Sequence, residues 1–117
     1  MLFVNQGHLQ FDAAWVGAVG AETPVADGQW HHVAVTVSSP GAGDNVTCFV
    51  DGRPSGKRSL EVGRYEETGL PVRFGFCNEN FPPGSSGFVG DLDDLRWFSY
   101  ALRPEDIQRL YEDTRKK

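Results

Sequence analysis

Asp27-Gly28-Gln29-Trp30-His31-His32-Val33-Ala34-Val35-Thr36-Val37 is the stretch on which the fold turns. Asp-Gly opens it as a tight turn, and from Trp30 onward the residues alternate. Val33, Val35 and Val37 fall on one face of an extended chain, and His32, Ala34 and Thr36 on the other. A strand over residues 30–37 with one face in a core satisfies that pattern. Residues 38–44 (SSPGAGD) form a loop by composition. Val46-Thr47-Cys48-Phe49-Val50 then returns as a second strand, and Asp51-Gly52 closes it with a strong turn signal. Two adjacent antiparallel strands follow from that order.

Upstream, Leu2-Phe3-Val4 and His8-Leu9-Gln10-Phe11 flank Asn5-Gln6-Gly7, which predicts a hairpin. Residues 14–19 predict a third strand, weakened by glycines, before the turn-rich residues 22–28. Downstream, residues 57–62 and 72–77 are further strand candidates. Residues 78–87 (NENFPPGSSG) read as a surface loop. Residues 88–98 are expected as the last strand, with Asp93, Leu95 and Trp97 on one face and Asp94, Arg96 and Phe98 on the other. At Pro104 the period changes. Proline at the start, Glu105 and Asp106 in the first turn, and Ile107, Leu110 and Tyr111 at helical spacing predict one short amphipathic helix.

Composition agrees with many short strands. The 117 residues suit one domain, and 14 glycines and 7 prolines are scattered between short apolar runs. Sixteen acidic against eleven basic side chains, a net charge of −5, disfavour a phosphate backbone, so no nucleic-acid partner is expected. No apolar run approaches the ~20 residues of a membrane helix, and residues 1–5 do not resemble a signal peptide, so no membrane insertion is expected either. Cys48 and Cys77 lie in apolar runs. They read as small buried hydrophobes, with a disulfide as the alternative.

Three segments, in order, resemble the laminin G-like jelly roll of the concanavalin A-like superfamily, which includes lectins, pentraxins and sugar-binding modules. They are residues 27–36 (DGQWHHVAVT), residues 48–54 (CFVDGRP) and residues 88–102 (FVGDLDDLRWFSYAL), the last continued by Pro104-Glu105-Asp106-Ile107. Tyr100 stands where the family commonly has arginine, and Arg103 where a serine cap is common. The resemblance implies an all-β fold: an antiparallel jelly-roll β-sandwich with one short C-terminal helix on its edge, a single domain over residues 1–117. Val33, Val35, Val50, Leu95 and Trp97 are expected in its core. The family's aromatic-rich opening strands are not recognisable, which leaves an edge for a partner chain to complete.

Function is expected from the same resemblance: a non-catalytic recognition module that binds carbohydrate or glycoprotein, outside the cell or on its surface. Aromatic faces stack on sugar rings while polar side chains bond hydroxyls. Tyr65, Asn78, Asn80 and Phe81, with Arg64 nearby, are the candidate rim. Asp91, Asp93 and Asp94 need neutralising, either by Ca²⁺, which relatives carry near this strand, or by Arg96 and backbone N–H groups. Asp93 and Asp94 are the candidate metal ligands. Asp44 and Asn45 suit a separate loop site or an ordinary turn, and Asn45-Val46-Thr47 is formally a glycosylation tripeptide to which no role is assigned. His31 and His32 are adjacent on an extended chain, so they point apart and cannot converge on one atom. Retaining glucanases of this superfold place paired carboxylates on one strand, and no such strand is present. Self-assembly or protein recognition through a homo-oligomer is the rival reading, and a glycoside hydrolase the weaker one.

Overall fold

Gln6 and Gly7, at φ 50° and 84°, form a two-residue turn of the kind that matches strand twist. It joins β1 (Leu2–Asn5) to β2 (His8–Asp12), with Asn5 opposite His8 and Leu2 opposite Phe11. The computed structural model describes residues 1–41, 43–63, 69, 74–75 and 87–116. They divide into two compact units, one of residues 1–63 and 97–117 and the other of residues 64–96.

In the first unit β2 pairs antiparallel with β3 (Ala18–Pro24), completing a sheet of order β1-β2-β3. The second sheet, β4-β5-β6, contains β4 (Val33–Val37), β5 (Val46–Val50) and β6 (Arg53–Arg58), all antiparallel neighbours. Asp51 and Gly52, at φ 50° and 78°, make the β5–β6 turn in the same way as Gln6 and Gly7. Strand alternation then sends Val46, Cys48 and Val50 to one face. There they join Leu9 of β2, Val19 and Ala21 of β3, and Leu60 in one buried cluster between the sheets. Among the described residues, two antiparallel sheets around one core, with one helix at the C-terminus, make this a β-sandwich of the concanavalin A-like kind, as the resemblance implies.

Where β3 meets β6 the sandwich is laced by side chains. The Thr23 N–H donates to Ser55 Oγ (2.8 Å), and the Ser55 hydroxyl donates to Thr23 Oγ1 (2.8 Å). Gly56, at φ 113°, lies where a Cβ would collide with the Gly20 carbonyl oxygen, so the approach requires glycine. Asn45 is buried and saturated. Its Nδ2 donates to the Ser38 and Leu60 carbonyls (3.0 and 2.8 Å), and its Oδ1 accepts from the Leu60 N–H (2.7 Å). It is thus a tie between chain segments, and its amide nitrogen is occupied inside the protein. Cys48 is a buried free thiol, and burial pushes its pKa up, so it stays protonated and inert.

Helix α1 (Pro104–Arg115) starts as the sequence predicts, with Pro104 at its first position and Glu105 and Asp106 in its first turn. Ile107 is its buried anchor. Arg103, in the cap position, makes no side-chain cap but donates from Nε to Asp106 Oδ2 (3.2 Å). The helix packs over the β5–β6 turn, where a Cβ on Gly52 would be 2.9 Å from Tyr111 Cδ1. No helix among the described residues is long and apolar enough to cross a membrane.

Several expectations are corrected. The strand expected at residues 30–37 starts only at Val33. Residues 14–16 form a single 3₁₀ turn, and the third strand runs Ala18–Pro24, through residues taken for a turn. Residues 88–98 carry no strand: Asp94 sits at φ 56° and Gly90 at φ 155°, both outside extended geometry. Of the five expected core residues, Val50 is buried and Val35 packs half-buried against the cluster. Val33, at the start of an edge strand, is 39% exposed, Leu95 59% and Trp97 74%. The candidate strand at residues 72–77 falls largely outside the described residues.

Candidate functional site

The most organised polar cluster joins the two sequence signatures of the second sheet. His31 lies between two carboxylates, with Nδ1 2.8 Å from Asp51 Oδ2 and Nε2 2.9 Å from Asp27 Oδ1. Asp51 also accepts the His32 N–H at Oδ1 (3.0 Å), and the Asp51 N–H donates to the His32 carbonyl (2.8 Å). Asp27 accepts the Gln29 N–H (3.0 Å). With a carboxylate at each ring nitrogen, both nitrogens donate and the ring carries a proton. The hydrogen bonds His31 donates to Asp51 and then to Asp27 accordingly raise its pKa, while the bond from His31 lowers that of Asp27. His32 turns the other way, its ring 6.1 Å from that of Tyr111. The divergence of the two histidines is as expected from the extended chain. The sequence reading treated Asp27 and Asp51 as turn residues only, and the signal it passed over was an aspartate four residues before His31 and another at the facing turn.

This cluster is a clamp. Both carboxylates are spent on one imidazolium, which pins the loop of residues 27–32 to the β5–β6 turn.

The sequence-predicted ligand residues Tyr65, Asn78, Asn80 and Phe81, and the neighbouring Arg64, lie outside the described residues. Asp93 and Asp94 are described. Asp93 Oδ1 accepts the Asp94 N–H (2.8 Å), and Arg96 donates from Nε and Nη2 to the two carboxylate oxygens of Asp94 (3.2 Å each). Arg96 and a backbone N–H therefore already neutralise charge here, one of the two solutions the sequence left open. Ca²⁺ takes six to eight oxygens. Among the described residues no three His, Cys, Asp or Glu side chains gather as a metal group.

Surface aromatics are what sequence reasoning missed. All three tryptophans of the chain are exposed: Trp15 98%, Trp30 70% and Trp97 74%. Alternation had assigned Trp97 to the core, and only the broken backbone around it reveals otherwise. An open depression of about 240 Å³ lies against the helix, lined by Phe98, Leu102, Asp106, Arg109 and Leu110.

Comparison with known proteins agrees with this architecture. A family model described as the concanavalin A-like lectin/glucanases superfamily matches residues 1–108. The mouse (Mus musculus) Sushi, von Willebrand factor type A, EGF and pentraxin domain-containing protein 1 is 34% identical over 91 residues, 74% of this chain but 2% of that protein. C-reactive protein of Sus scrofa is 33% identical over 66 residues, covering 54% of this chain and 30% of that protein. The chain thus spans under a third of the curated relatives it resembles. In structure, the crystallised S-layer domain-containing protein (residues 221–444) of Clostridium thermocellum superposes with a TM-score of 0.62 at 24% identity, over 90% of this chain and 52% of that one. That likeness is one of fold.

Proposed function

Because the chain belongs to the concanavalin A-like lectin/glucanase superfamily, we propose that it is a non-catalytic recognition module whose ligand is a carbohydrate, free or on a glycoprotein. The observation that carries this reading is the surface placement of all three tryptophans, since an exposed indole offers an apolar face to a sugar ring. A glycosidase instead needs two carboxyl groups facing each other across a cleft. Here Asp27 and Asp51 are held on His31, Asp94 on Arg96, and Asp106 between Arg103 and Arg109. Extracellular or cell-surface placement belongs to the same reading. So does calcium: Asp93 and Asp94 would hold the ion in place of Arg96, and the ion would present its positive charge to ligand oxygens.

The test is a broad glycan array probed with the purified domain, once with calcium and once with chelator. Hits in both buffers support the carbohydrate reading without calcium, and hits lost with chelator support the ion as well. A blank array in both refutes the reading.

A second reading, self-assembly, has its own observation. On β1, an edge strand among the described residues, Leu2 and Val4 are 48% and 39% exposed, yet they stand opposite Phe11 and Leu9, which pack in the core. The core-facing side of that sheet therefore runs on into solvent, and a second copy of the chain would cover it. A monomeric mass in solution at high concentration would sink this alternative.

A further inference from the structure

We propose that Trp15 is a stacking platform for a pyranose ring and forms, with Asp12 and Arg58, a sugar site at the β2–β3 turn. The inference rests on the carbohydrate reading and adds a location to it.

The turn is short and braced. Asp12 ends β2 opposite Ala18, which starts β3, and the five residues between them close on themselves. The Ala13 N–H donates to the Gly17 carbonyl (2.9 Å), Val16 to Ala13 (3.2 Å) and Gly17 to Ala14 (3.3 Å). Ala14 is held at φ 56°, a left-handed conformation that a residue with a Cβ rarely adopts. At Gly17, φ 137°, a Cβ would stand 2.9 Å from Leu60 Cδ2, so only glycine lets the turn settle against that buried leucine. Arg58 Nη1 then donates to the Ala18 carbonyl (2.8 Å) and fixes the exit of the turn to β6.

What this framework displays is an indole 98% open to solvent. Single exposed apolar residues are ordinary, but tryptophan is highly buried on average. Here a locally strained backbone carries it outward, and such strain gathers at functional sites. A fixed turn also loses little freedom when a ligand stacks on it, which favours binding. The ends of the turn carry polar groups that suit a sugar. Asp12 accepts hydrogen bonds from hydroxyls, and Arg58, with five N–H donors of which Ala18 takes one, donates to them. A net charge of −5 disfavours the other surface that attracts exposed tryptophan, an anionic membrane.

The experiment titrates wild type, W15A and W15F with hexasaccharides of glucose, mannose, galactose and N-acetylglucosamine, beside sedimentation with phosphatidylcholine vesicles. At least one sugar should bind wild type, with affinity reduced about tenfold or more in W15A and largely kept in W15F. All three proteins should melt at the same temperature, because Trp15 supports nothing. Equal affinity of wild type and W15A, or equal loss in W15A and W15F, overturns the platform and leaves the carbohydrate reading standing. Failure of wild type to bind any of the four overturns both. Vesicle binding that needs Trp15 would overturn the sugar assignment in favour of membrane contact.

Discussion

In sequence β5 and residues 88–96 both read as strands, and only β5 is one. β5 lies between β4 and β6, every one of its residues opposite or beside a partner, and Val46, Cys48 and Phe49 are at most 1% exposed. Residues 88–96 pair with no strand among those described, and Val89, Leu92 and Leu95 are 93%, 51% and 59% exposed. The lesson is that a strand-like run of residues does not supply its own neighbours. Backbone N–H and C=O groups need a ladder on at least one side before an apolar face can be buried.

The sharpest way to break the contrast is to delete one large side chain from each region. Phe49→Ala removes a side chain 1% exposed and should cost about 3–5 kcal/mol, a large share of the roughly 5–15 kcal/mol that holds an ordinary domain together. Urea unfolding monitored by circular dichroism reads it directly. A loss below about 1 kcal/mol would mean that the face of β5 turned away from the inter-sheet cluster adds little to stability.

A smaller effect separates packing from charge within the same sheet. His31→Ala removes the clamp between the loop and the β5–β6 turn and should cost about 1–2 kcal/mol, the value of charge-assisted hydrogen bonds at a partly exposed site. Its pH dependence has a fixed sign. The His31 pKa is raised in the folded protein, chiefly by Asp51, so the stabilisation is full below the ordinary histidine value of about 6.5 and is lost as pH rises through the raised one. Asp27 is lowered, chiefly by His31, so its share is present above about 3.9 and lost as pH falls through the lowered value. The gap between wild type and H31A should therefore be widest between those limits and narrow on either side. A gap independent of pH would show that His31 acts by packing alone.

Much of this was legible in the sequence because local chemistry and global fold agree there. Asp51-Gly52 and Gln6-Gly7 are turns at positive φ, Val46–Val50 is a strand, and Pro104 opens a helix. What was hidden depends on contacts distant in sequence. The sequence points to a strand at residues 57–62, whereas β6 runs Arg53–Arg58, because β5 supplies its ladder there, Pro54 can stand on an outer strand, and Gly56 lets Gly20 approach. The clamp needed Asp27 and Asp51, 24 positions apart, brought to one ring. Trp15 was hidden for another reason: between alanines and valine it looks like part of a strand, and the left-handed Ala14 that lifts it out has no signature in sequence.

The smallest expected effect is the most discriminating for the unpaired region. Leu95→Ser removes a side chain 59% exposed and should change stability by no more than about 0.5 kcal/mol, the range of surface substitutions. If residues 88–96 gain a strand partner when the protein binds another chain or assembles with itself, the same substitution becomes costly only in the complex, because Leu95 then leaves water. Measuring L95S twice, dilute and at a concentration where any oligomer forms, tells these cases apart. Equal small losses in both leave the strand-like pattern of residues 88–96 without a structural partner. A loss that grows with concentration means that the pattern is answered across an interface, by the same ladder logic that holds β5.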